Sequence, residues 1–126
     1  MANQVVHFEI IGQNPAALRD FYAGLFGWKA DTDSAVAPEI SDEGDYGFID
    51  PEAGSASIAG GIGGGLGRAA HTVFYVGVAD VAAALAEAVA LGGAVVLAPA
   101  TKPGGGLVVA QFADPEGNLI GLAGPQ

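Results

Sequence analysis

His7-Phe8-Glu9-Ile10-Ile11, then Asn14-Pro15, then Phe21-Tyr22, set out a strand running into a capped helix; the layout recurs from His71 to Gly93, and Asp114-Pro115-Glu116-Gly117-Asn118 leads into the last apolar run. Alternation over Val5 to Ile11 predicts a strand, and Asn14-Pro15 places an N-cap before a proline at the first helical position. Leu18, Phe21, Tyr22, Leu25 and Phe26 recur at three- and four-residue steps, predicting a helix to about Phe26 that buries one stripe against a sheet, with Gly27 as its stop. Trp28 to Ala30, Tyr46 to Ile49 and Ala56 to Ala59 read as short strands, with a polar loop from Ser34 to Glu43 and a turn at Pro51-Glu52-Ala53-Gly54.

The same order repeats in the second half: a strand from Ala70 through Val78, a helix from an Asp80 N-cap through Leu91, and strands at Ala94 to Leu97, Leu107 to Ala113 and Leu119 to Ala123. Turns at Pro103-Gly104-Gly105-Gly106 and Asp114-Pro115-Glu116-Gly117 join the last three. The prediction is an α+β fold: two βαβββ units, residues 1–59 and 70–126, in one domain, facing each other across a shared cleft. Function is expected on the strand faces lining the cleft between them. Residues 60–69 read as a flexible glycine-rich linker, since Gly60 to Gly67 holds six glycines. Gly65-Leu66-Gly67-Arg68-Ala69-Ala70 fits a loose dinucleotide-binding pattern, but a strand follows where that motif needs a helix.

Bulk properties agree with one soluble domain. The chain has 126 residues, 51% of them hydrophobic, enough for a single core and too apolar for disorder. Val81 to Ala100 is the most apolar stretch, but Glu87 and Gly92-Gly93 divide it, so no membrane span is expected. Without cysteine there is no disulfide framework or thiolate chemistry, and with no secretory pattern at Met1-Ala2-Asn3-Gln4 a cytoplasmic location is expected. The net charge of −10 disfavours phosphate backbones and anionic lipid, so neither nucleic acid nor membrane is an expected partner. Eight acids fall between Asp31 and Glu52. They are either a solvated loop or a field that attracts a cationic ligand.

The two βαβββ units, the opening His7 with Phe21-Tyr22 fourteen residues on, and the terminal Asp114-Pro115-Glu116-Gly117-Asn118-Leu119-Ile120 together resemble the vicinal oxygen chelate superfamily. That group includes glyoxalase I, extradiol dioxygenases, methylmalonyl-CoA epimerase, fosfomycin-resistance enzymes and bleomycin-resistance proteins. The resemblance covers nearly the whole chain and implies the fold, in which the two units form a cup-shaped mixed sheet; the activity stays open, because one scaffold supports several chemistries. It also implies a homodimer.

The resemblance implies four metal-ligand positions. His7, seven residues before the Asn14 cap, matches one. The counterpart seven before Asp80 is Val73, with His71 displaced by about 6 to 7 Å along the same strand face. The carboxylate position of the last strand holds Gly121, and the strand around Ile58 holds no acid. A transition metal needs at least three placed N or O donors. No cofactor is therefore expected; the alternative is a divalent Zn, Ni, Mn or Fe on an unorthodox set of His7, Glu9 and His71. Otherwise His7 and His71 are histidines hydrogen-bonded to neighbours.

Glu9 shares the face of His7. Inside an apolar cup a carboxylate favours its neutral form unless a cation partners it, which suits a general base or an anchor for a basic ligand. The structural alternative is a pair with His7 or Arg68. Tyr75 falls on the Val73 face, and Tyr46 with Phe48 or Trp28 is placed to close the rim around a flat ligand. Phe21, Phe26, Phe74 and Phe112 are assigned to core packing. Two functions remain. One is a metal-free binding protein for a small, cationic, aromatic molecule, with ligand contacts from His7, Glu9, Phe48, His71, Val73, Tyr75 and Gly121. The other is a lyase or isomerase, or a dioxygenase-like enzyme, in which Glu9 and His7 transfer protons.

Overall fold

A computed structural model describes residues 2–126; Met1, the first residue of the N-terminal stretch read above, lies outside the described residues. The elements in chain order are β1 (Val5–Gly12), α1 (Pro15–Phe26), β2 (Gly47–Ile49), β3 (Ala59–Gly64), β4 (His71–Gly77), α2 (Val81–Ala90), β5 (Ala94–Thr101), β6 (Leu107–Ala113) and β7 (Leu119–Pro125). Parallel and antiparallel pairings both occur, so the fold is α+β with mixed pairing. No helix among the described residues is long and apolar enough to cross a membrane. The chain falls into two compact units, residues 7–72 and residues 73–126 together with 2–6.

In the unit of residues 7–72 the strand order is β2-β3-β1. β3 runs parallel to β1, with Glu9 opposite Gly61, and antiparallel to β2, with Phe48 also opposite Gly61. The Asn14 side chain accepts from Ala17 N–H, Pro15 opens α1, and Gly27 closes it in the left-handed region at φ 72°. The core is small: Ile11, Ile40, Ile49 and Ile62, with Ala37 and Tyr46, are its buried apolar residues.

Two expectations fail here. Trp28 to Ala30 forms no strand; a single antiparallel bridge from Asp31 to Phe48 stands in its place. The glycine run is not a linker from Gly60 on, because Ala59–Gly64 is β3 and all its glycines are buried, while Ala56 to Ile58 lies outside any strand. Glycine is normally poor in strands, and here aromatic rings lie where its side chains would stand. A Cβ on Gly60 would meet the Phe8 ring at 2.1 Å, and one on Gly61 the Tyr46 ring at 2.1 Å. The end of β3 is locked by Ser41, whose Oγ accepts from Gly64 N–H at 2.9 Å.

In the other unit the order is β4-β7-β6-β5, with β4 parallel to β7 and the last three strands antiparallel. Asp80 caps α2 by accepting from Ala83 N–H. Val81 and Leu85, one turn apart, pack with Ala110 and Leu122, and Val78, Ala84, Val108 and Phe112 border that cluster. Phe112 thus has the core duty assigned to it. Phe21 at 60%, Phe26 at 56% and Phe74 at 40% exposure do not. The stripe of α1 is correspondingly open: Leu18 and Tyr22 are half-buried, and Leu25 is exposed.

Candidate functional site

β1 carries the chemistry of the 7–72 unit by strand alternation. His7 and Glu9 share one face, and Phe8 takes the other. β2 brings Phe48 to the His7 side, with ring centroids 6.2 Å apart, and Tyr46, just before β2, packs its ring 4.9 Å from Phe48. The Tyr46 hydroxyl is the centre of the arrangement. It lies 2.8 Å from His7 Nε2 and donates to Glu9 Oε1 at 2.9 Å. A phenol has one proton, so with that proton given to Glu9 the Tyr46 oxygen accepts from His7 Nε2–H. The chain of bonds therefore runs from a half-buried imidazole through a phenol to a carboxylate that is 3% exposed.

Burial holds His7 below its ordinary pKa, favouring the neutral ring. Among the described residues no buried side-chain N or O lacks a hydrogen-bond partner. Arg68, read above as one of two alternative structural partners for Glu9, is engaged at the acidic loop. It donates to Asp42 Oδ1 at 3.0 Å and to the Glu39 and Pro38 carbonyls, fastening the acidic loop.

The unit of residues 73–126 repeats the geometry with different side chains. Tyr75 pairs with Gly121 across β4 and β7, as Glu9 pairs with Gly61 across β1 and β3. Tyr75 is therefore the repeat counterpart of Glu9, and Val73 that of His7. The Tyr75 hydroxyl accepts from Gln111 Nε2 at 2.9 Å. A Cβ on Gly121 would meet Tyr75 Cδ2 at 2.3 Å, so the place where the resemblance puts a carboxylate is filled by a neighbouring ring. The counterpart of Gly121 in the first half is Gly61 and not the region of Ile58, which is 38% exposed.

These positions do not fit a metal. Among the described residues no three His, Cys, Asp or Glu side chains gather in a metal-binding group. His7 and Glu9 are tied through Tyr46, and His71 is exposed with Nδ1 2.9 Å from the Ala69 carbonyl. The set of His7, Glu9 and His71 is therefore not assembled. His71 instead borders a cleft of about 740 Å³ beside α1, with Gly12, Leu18 and Phe21 among its walls.

Trp28 stands apart from the rim role expected of it. Its ring packs on Phe8, 5.1 Å between centroids, and on Tyr22 and Phe26, on the face of β1 opposite His7. Tyr46 was legible only as a rim aromatic, and Gln111 gave no signal in the sequence. The usable clue was glycine inside apolar strands, Gly61 and Gly121, marking where a large ring lies across the backbone.

The chain belongs to the Glyoxalase/Bleomycin resistance protein/Dioxygenase superfamily, whose family model matches residues 4–122. No curated protein matches it. Solved structures similar to it include a Streptomyces coelicolor methylmalonyl-CoA epimerase in complex with 2-nitronate-propionyl-CoA, with 18% identity, a TM-score of 0.68, and coverage of 98% of this chain and 95% of that one. A methylmalonyl-CoA epimerase in complex with methylmalonyl-CoA and NH4+ matches at 18% identity and TM-score 0.67 over 98% and 95% of the two chains. A superfamily member from Vibrio splendidus 12B01 matches at 15% identity and TM-score 0.57 over 98% and 99%. At these identities the likeness is one of fold.

Proposed function

We propose that this superfamily member binds a small, flat organic molecule against the face that His7 and Phe48 present, without a metal bridging protein and ligand. The observation that supports it is the Tyr46 hydroxyl, which joins His7 to Glu9 and so commits to each other two donors that a metal would need. The half-buried Phe48 ring offers the apolar surface, backed by the buried Tyr46 ring, and His7, half-buried, offers the polar contact that orients the ligand. The net charge of −10 favours a cation over an anion. A homodimer belongs to the same reading, supported by Phe21 and Leu25, each 60% exposed on α1, and light scattering tests it.

Elemental analysis of protein purified without a tag, before and after incubation with Zn²⁺, Ni²⁺, Mn²⁺ and Fe²⁺, should find no stoichiometric metal. A thermal-shift screen of aromatic cations should then yield a ligand whose binding weakens in His7→Ala. Stoichiometric metal lost in His7→Ala or Glu9→Ala would reverse the reading.

A second reading rests on the same bonds seen as a proton path. Glu9 exchanges a proton with Tyr46, Tyr46 with His7, and the half-buried imidazole can take a proton from a carbon acid and return it. Two solved structures of similar fold are described as methylmalonyl-CoA epimerase, which makes methylmalonyl-CoA the substrate to try. Deuterium entering its α-carbon in D2O with the wild-type protein, and not with Glu9→Gln, would favour this enzyme reading over simple binding.

A further inference from the structure

On the face of β1 opposite His7 and Glu9, the unit of residues 7–72 holds a second cleft, of about 430 Å³. Its back is aromatic and aliphatic: Phe8, Phe26 and Trp28, with Ile49 and Ile58. Trp28 is the hub, with Phe26 5.0 Å, Phe8 5.1 Å and Tyr22 5.6 Å away between ring centroids. Packing on three rings holds the indole in place, yet Trp28 is only half-buried and Phe26 is 56% exposed, so part of this aromatic wall faces the cleft. The rest of the lining comes from the segment from Asp50 to Ile58, including the exposed residues Asp50, Glu52, Ser55 and Ser57.

We propose that this cleft is a binding site for a small organic ammonium ion, separate from the His7 face. An aromatic wall attracts a cation through the negative faces of its rings, and weakly hydrated alkylammonium groups lose little solvation on entering. Among the lining residues Asp50 and Glu52, both exposed, supply opposite charge, against the single cation Lys29. The eight acids from Asp31 to Glu52 make the surroundings hostile to an anionic ligand. The inference does not depend on what binds at His7.

Trp28 is the single tryptophan of the chain, so its indole N–H gives one NMR signal that reports on this cleft. Choline and its uncharged carbon counterpart, 3,3-dimethylbutan-1-ol, are titrated at low salt into the wild type, into the double variant Asp50→Asn/Glu52→Gln, and into His7→Ala. The expected result is a saturable shift of the Trp28 signal with choline and not with the alcohol, about three- to fivefold weaker in the double variant and unchanged in His7→Ala. The proposal is overturned by equal response to the alcohol, by no saturable shift, by undiminished affinity in the double variant, or by loss of the response in His7→Ala.

Discussion

A single hydroxyl decides how the His7 face behaves. Removing it in Tyr46→Phe keeps the ring over Gly61 but leaves a carboxylate that is 3% exposed short of a donor, so stability should fall by about 1 to 3 kcal/mol, measured by urea unfolding. His7 supplies a pH signature. Its folded pKa lies below the ordinary 6.5, so the unfolded chain binds the proton more readily. The neutral ring's contribution is therefore complete above the unfolded pKa and shrinks as pH falls through 6.5 toward the folded value. Unfolding free energies taken in steps from about pH 8 to about pH 5 should show this decline, and His7→Gln should flatten it. An unchanged slope in that variant would mean that other groups set the acid response.

At the scale of elements, the informative one is β3. Its glycines allow rings to lie flat on both faces of the strand, Phe8 on one and Tyr46 on the other. Gly61→Ala should destabilise by about 1 to 3 kcal/mol, because the added methyl must displace the Tyr46 ring and with it the bonds to His7 and Glu9. Gly24→Ala makes the contrast. It sits inside α1 with nothing within 4 Å of the added Cβ, and should stabilise by about 0.5 to 1 kcal/mol. Comparing the two midpoints in one urea series separates the demand for close approach from the general cost of glycine. The turn entering β7 works differently: Asp114 accepts from the Glu116 and Asn118 amides and from Asn118 Nδ2, and these bonds hold its carboxyl below the ordinary range.

For the whole molecule, charge dominates. With −10 net and only four cations, one of them, Arg68, in an ion pair with Asp42, the folded chain repels itself. An exposed pair of this kind contributes little. Raising ionic strength from about 0.01 M to about 0.15 M shortens the Debye length to about 8 Å and should raise the melting temperature, while weakening any organic cation bound beside Asp50 and Glu52. A melting temperature that falls on adding salt would show that ion pairs outweigh repulsion.

The sequence by itself determined the helices with their Asn14, Gly27 and Asp80 caps, the succession of elements along the second half, the family, and the sharing of one face by His7 and Glu9. The elements, caps and shared face follow from local periodicity and cap chemistry, which act within a few residues, and the family from the resemblance carried by His7, Phe21-Tyr22 and the Asp114 to Ile120 motif. It misassigned Gly60 to Gly64 as linker because glycine's weak strand preference is local, whereas the rings that compensate come from Phe8 and Tyr46, far away in the chain. Phe21 and Phe26 were assigned to the core for a related reason: a helical stripe shows which residues share a side, and only packing decides whether that side is covered. The tertiary structure alone set Tyr46 between His7 and Glu9, across thirty-nine and thirty-seven positions, and the Tyr75 ring over Gly121. Hydrogen bonds at that separation depend on how β1, β2 and β3 register, and no local pattern encodes that.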